Sequence, residues 1–363
     1  MLRFQPPAVG DEEIAAVAET IRSGWLTTGP RAAELERRCA ELLEAEHVVA
    51  VASGTAAMHL ALLALGVGPG DEVITTPITW PATANVIVHA GATPVFADVR
   101  EDDLNIDAAR VRELVTGRTK AILPVHLAGQ PCDLDALWEL GVPVVEDAAH
   151  AFESRYRGRK IGGLSDATCF SLYATKNVAA GEGGLVATDR DDVAAAIHEL
   201  RLMRRGDGSL YDIAVPGYKA NLSDVLAAIA LVQLDKLERH ARIRERQFAL
   251  YDEAVAELDG IEPIARDARD VHALHLYVVR ISPQLAARDE VQRALAEENV
   301  GTSIHFLPVH TLSWYRGRFR ADCPVAERAG AEVLSLPLSP AHSDEDIRDA
   351  IDALVRVNAR FNR

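Results

Sequence analysis

From residue 48 to about residue 190 the chain alternates short, β-branched apolar runs with Ala- and Leu-rich stretches whose apolar positions recur at helical spacing. That alternation predicts a mostly parallel sheet covered by helices. Seven strands are expected: 48–53, 71–76, 93–99, 120–127, 142–147, 167–173 and 183–189. Between them, 55–65, 81–91, 108–115 and 134–140 read as helices, most of them punctuated by Gly or Pro. The Gly66-Val-Gly-Pro-Gly-Asp71 stretch precedes a strand and reads as a turn.

Beyond the sheet region, Asn221 to Leu258 crowds apolar residues and then thins them to one stripe, which predicts a long connecting helix. It is followed by a strand over 275–281, a helix over 286–298, a strand-like 301–306 and a C-terminal helix opened by Ser343. The expected organisation is a large α/β domain over 1–240 and a smaller α+β domain over 241–363, packed together.

Composition narrows the possible partners. The 363 residues are 48% hydrophobic and 25% charged, as in ordinary globular chains. The formal charge of −16 offers no general attraction for nucleic acid or anionic lipid, so neither is expected as a partner. Cys39, Cys132, Cys169 and Cys323 lie far apart and make no CxxC pair, against a zinc ribbon or dithiol centre. With no apolar signal core and no run of about twenty apolar residues, a cytoplasmic protein is expected.

Three segments carry candidate chemistry. Lys176 follows a strand and precedes a glycine-rich turn. It is either a solvated loop lysine or a desolvated amine able to attack an aldehyde, as in tethering pyridoxal phosphate (PLP). Asp147 ends the run Val142-Pro-Val-Val145 and either caps the next helix or pairs with a pyridine nitrogen. Ser53-Gly54-Thr55 passes from a strand into a helix, an ordinary cap or a phosphate cradle.

These residues, with Ser23–Pro30, Pro124–Pro131, Glu146–His150, Phe170–Gly184 and Pro216–Asn221, resemble the DegT/DnrJ/EryC1/StrS family of PLP-dependent sugar aminotransferases. The resemblance implies the aspartate-aminotransferase-like fold (fold type I) and a homodimer with a shared active site. It makes Lys176 the Schiff-base lysine and proton carrier, and pairs Asp147 with the pyridinium. Gly54, Thr55 and Ser171 would hold the phosphate, Trp80 would stack on the ring, and His150 would stand near the ring hydroxyl where many relatives have glutamine. Asn221 would reach the phosphate from the neighbouring subunit, although Lys219 and Asn221 replace the Asn and Arg of many relatives. Leu274 stands where similar enzymes often have tryptophan. Thr28, His305 and His310 are the implied substrate contacts.

The implied reaction moves an amino group from L-glutamate to a nucleotide-linked keto-sugar, a 4-keto-6-deoxyhexose or related sugar. Alternatives are a ketoinositol (scyllo-inosose) aminotransferase and a non-catalytic PLP-fold sensor. A PLP-dependent dehydratase is disfavoured, because such relatives carry histidine where this chain has Lys176. His272 with His275, and His305 with His310, could suggest a metal site; His272 and His275 enter a predicted strand at an offset that turns them to opposite faces, and no metal is expected.

Overall fold

All seven expected strands are present in the computed structural model, which describes residues 1–203, 212–213 and 215–362. They are β1 (His47–Val51), β2 (Glu72–Thr75), β3 (Thr93–Phe96), β4 (Thr119–Leu123), β5 (Val145–Asp147), β6 (Ala167–Ser171) and β7 (Gly184–Thr188). Their order across the sheet is β3-β2-β4-β5-β6-β7-β1, with β4 joined to β5 through the parallel bridges Ile122–Val144 and Val125–Asp147. Only β7 runs against its neighbours.

Both faces of this sheet are apolar for a visible reason. On β1, Val48 and Ala50 enter one core, with helices α2 (Pro30–Leu43), α5 (Ala108–Leu114), α6 (Leu134–Trp138) and the start of α8 (Asp224–Val255). Val49 and Val51 enter the opposite core, against α3 (Gly54–Ala64), α4 (Ala82–His89) and α7 (Asp191–Leu202). A period of two with both phases apolar makes a sheet covered on both faces. The remaining helices are α1 (Asp11–Ser23), α9 (Arg288–Glu297), α10 (Pro324–Glu332) and α11 (Asp344–Phe361).

Helix α8 continues for 32 residues, from its Ser223 cap into a second core around Tyr251, Tyr277 and Leu354. Its first residue also caps a neighbour: the Asp224 carboxylate accepts from the amides of Gly29, Arg31 and Ala32 at 2.7–3.0 Å. That supplies α2 with the N-terminal acceptor its own cap, Gly29, lacks. The second core is covered by a three-stranded antiparallel sheet, β8 (Ile261–Pro263), β9 (Tyr277–Ile281) and β10 (Val333–Leu336).

Two sequence expectations need correction here. Residues 301–306 form no strand; Ser303 makes one antiparallel bridge to Ser335, and β10 takes the place beside β9. The strand expected over 275–281 starts at Tyr277, so His272 and His275 precede it, in a stretch bent by the left-handed Leu274 at φ 50°. Strand alternation therefore does not govern where those two rings point.

Candidate active site

The parallel strands deliver their ends to one edge of the sheet, where doubly wound folds collect ligands. There a cavity of about 460 Å³ opens between Ser53, Gly54 and Thr55 after β1, Asp147 at the end of β5, Ser171 at the end of β6, and Lys176 beyond it. Trp80, His150, His275, His305 and Phe306 complete much of its wall.

Lys176 is the one lysine or arginine among the described residues of the lining. Burial, opposed by the Asp147 carboxylate, pushes its amine down to about 8. A substantial neutral fraction near pH 7 is what a nucleophilic amine requires. Asp147 is buried, and its pKa is raised by that burial against hydrogen bonds from Thr83 and Ala149. Thr83 Oγ1 donates to Oδ2 at 2.8 Å and the Ala149 amide to Oδ1 at 3.1 Å. Thr79 and Thr83 share a further hydroxyl bond of 2.7 Å, so α4 and the segment before it buttress the carboxylate.

The start of α3 is built for close approach. Ser53 caps the helix by accepting from the Ala56 amide at 3.0 Å. A Cβ on Gly54 would lie 2.9 Å from Ser171 Cβ, and one on Gly184 would lie 2.4 Å from the Ser53 carbonyl carbon. The two glycines thus let β6, β7 and the helix end meet, leaving amides of the first turn without helical partners. A helix start in this condition suits an anionic group.

Three histidines line the cavity without charge. Burial, and secondarily the Lys176 ammonium, depresses His150 and His275 well below the usual imidazole value and His305 to about 3. His150 packs its ring 4.5 Å from that of His275, and His305 Nδ1 lies 2.9 Å from Ser335 Oγ.

The structure therefore brings together Gly54, Thr55, Trp80, Asp147, His150, Ser171, Lys176 and His305. It does not bring Thr28, Asn221 or His310 into that cavity. Thr28 and Asn221 meet each other instead, Asn221 Nδ2 donating to Thr28 Oγ1 at 2.5 Å beside the end of β1, while Lys219 Nζ donates to Asn221 Oδ1. His310 pairs with Glu327 at 3.1 Å and packs near Phe96. Of the lining, sequence reasoning missed Thr83, Thr79, Gln5 and Phe306; the Thr79/Thr83 spacing at the entry to a helix was the one available signal among them.

A lysine and a buried aspartate at the carboxyl edge of a seven-stranded sheet, beside a glycine-opened helix start, match the fold type I arrangement of PLP-dependent enzymes. The chain belongs to the DegT/DnrJ/EryC1/StrS aminotransferase family, which it matches over residues 7–355. The spore coat polysaccharide biosynthesis protein SpsC of Bacillus subtilis (strain 168) is 45% identical over 374 residues, spanning 97% of this chain and 96% of SpsC. Spr1654 of Streptococcus pneumoniae, assigned as a sugar aminotransferase, superposes in its apo form with a TM-score of 0.94 at 32% identity, covering 99% of this chain and 98% of that one. It is also known in PLP and PMP forms. DesI, solved in the presence of its TDP-sugar product, gives 0.92 at 35% identity over 99% of this chain and 93% of its own.

Proposed function

We propose that this aminotransferase uses PLP to transfer an amino group from L-glutamate to the 4-keto carbon of a nucleotide-linked 6-deoxyhexose or related sugar, as a cytoplasmic homodimer with shared active sites. The observation that carries the reading is the joint presence of Lys176 and Asp147 in one cavity whose floor is a helix start closed to any side chain at Gly54. When bound, PLP would supply an aldehyde carbon that carries the amino group between substrates and a ring that accepts electrons.

The residues present fit that group. Lys176, with its lowered pKa, would hold the aldehyde carbon and move the proton at the substrate's amine-bearing carbon. Asp147, held in place by Thr83 and the Ala149 amide, would pair with the ring nitrogen. Gly54, Thr55 and Ser171 would take the phosphate, Trp80 would lie against the ring, and His150 would stand by its hydroxyl. His305 takes part in binding the sugar or the donor carboxylate; His310, directed to Glu327, acts at most through the segment they share.

Support for a second copy comes from the cavity mouth, where Trp80 and Tyr173 are 65% and 47% exposed. Exposed apolar surface at a site entrance is covered by a ligand or by a partner chain. Asn221 and Thr28, bonded to each other outside the cavity of their own chain, would in this reading serve the neighbour's. The relatives' association with spore-coat polysaccharide and with a TDP-sugar product favours an activated sugar as acceptor.

The test is incubation of the PLP-loaded protein with glutamate and a panel of nucleotide-linked 3-keto and 4-keto sugars plus scyllo-inosose, with 2-oxoglutarate as readout. Release with 4-keto sugars is expected. Release with scyllo-inosose alone would replace the sugar-nucleotide reading, and no release with any acceptor would remove it.

A further inference from the structure

Behind the cavity wall runs a buried polar chain that the proposed roles leave unused. Arg244 of α8, 3% exposed, donates to Glu153 Oε2. Asn177, the residue after Lys176, donates from Nδ2 to the same Glu153 oxygen at 2.8 Å and to the Ala273 carbonyl at 2.9 Å. The Ala273 carbonyl can only accept, so the Asn177 amide has one orientation and its Oδ1 faces His275 Nδ1 at 2.9 Å. An amide oxygen cannot donate; the proton of His275 therefore sits on Nδ1, and Nε2 keeps its lone pair.

The neighbouring ring is set the other way. The Ala128 amide donates to His150 Nδ1 at 3.3 Å, which leaves the His150 proton on Nε2. Among the described residues no protein atom pairs with Nε2 of either histidine. Two neutral imidazoles, their ring centroids 4.5 Å apart and their planes tilted by 33° in the wall of the Lys176 cavity, thus offer a donor and an acceptor side by side.

We infer that Asn177 is a positioning residue: anchored by the Arg244–Glu153 pair, it locks His275 in the Nδ1–H tautomer, so that an imidazole lone pair is turned toward the cavity that holds Lys176. A lone pair there favours the protonated form of a nitrogen at Lys176 and accepts a hydrogen bond from whatever hydroxyl or amine enters. A ring flipped to Nε2–H would do the reverse on both counts. The part that concerns the loaded cofactor rests on the reading given above; the tautomer does not.

The experiment reads the tautomer directly, by nitrogen-15 NMR of protein carrying labelled histidine, with and without added PLP, His275 being assigned from its absence in His275→Phe. Wild type should show Nδ1–H, and Asn177→Ala should shift His275 to Nε2–H or to a mixture while the melting transition stays cooperative. In the loaded protein, Asn177→Ala should also lower the pH midpoint of the visible absorbance change by about half a unit. A wild type with Nε2–H or with a protonated ring overturns the proposal even if no variant folds. So does an unchanged tautomer in folded Asn177→Ala, which is the outcome for an asparagine that only fills space. A protein that takes up no PLP would strike the proposed function instead and leave the tautomer result intact.

Discussion

Thr83 Oγ1 stands 2.8 Å from Asp147 Oδ2, so a helix-start hydroxyl holds the carboxylate that terminates β5. Because burial raises the Asp147 pKa and this bond opposes the rise, Thr83→Val should protonate more of the aspartate at neutral pH. A hydrogen bond to a charged group contributes about 1.5–3 kcal/mol. PLP affinity, followed by equilibrium dialysis, should therefore fall at least tenfold, with Thr83→Ser largely restoring it; equal affinities in all three proteins would detach Asp147 from the cofactor.

Lys176 should be reactive well below the ordinary lysine range. With a pKa of about 8, roughly a tenth of the amine is neutral at pH 7. The rate at which added PLP forms a borohydride-trappable adduct should climb with a midpoint near pH 8, and Lys176→Ala should form none. A midpoint above pH 10 would place the amine in solvent.

The same shift predicts a stability signature in the cofactor-free protein. Between a folded pKa of about 8 and the usual 10.5, the folded state binds fewer protons at Lys176 than the unfolded state, so unfolding takes up protons. This group's destabilising contribution is complete below pH 8 and vanishes as pH rises through 10.5. Lys176→Met should thus be the more stable protein at pH 7, its advantage in urea midpoint shrinking toward pH 10.5; an advantage that grows with pH reverses the sign and refutes the shift.

Gly184→Ala places a methyl 2.4 Å from the Ser53 carbonyl carbon. Forced overpacking of this kind costs about 1–3 kcal/mol. Chemical denaturation should register that loss, together with weaker binding of inorganic phosphate or PLP. Full retention of both would show that β7 and the start of α3 do not meet as described.

If Asn221 serves the neighbouring subunit, Lys176→Ala and Asn221→Ala proteins should complement each other. Random mixing puts half the dimers in the mixed form, each with one intact site, for about a quarter of wild-type turnover. Activity no greater than that of the two variants alone would return Asn221 to its own chain's site.

Much of this architecture was legible because local pattern and tertiary role coincide. The doubled apolar phases of Val48 to Val51 announced a sheet covered on both faces, and Lys176 and Asp147 stand at strand ends that the same pattern located. What escaped was non-local. Asn177 matters through Glu153 and Ala273, and Thr83 through Asp147, partners that only folding brings near. β10 went unread because Val-Leu-Ser-Leu is four residues long and follows a helix directly, whereas 301–306 has strand-like composition but only Ser303 meets a partner.

At a rise of about 1.5 Å per residue, α8 is a rod of roughly 48 Å whose two ends are embedded in different cores. A clamshell motion of one lobe against the other would have to snap that rod or drag its packing along. Substrate entry and product escape by way of the rim, where Trp80 and Tyr173 stand, would leave that rod undisturbed.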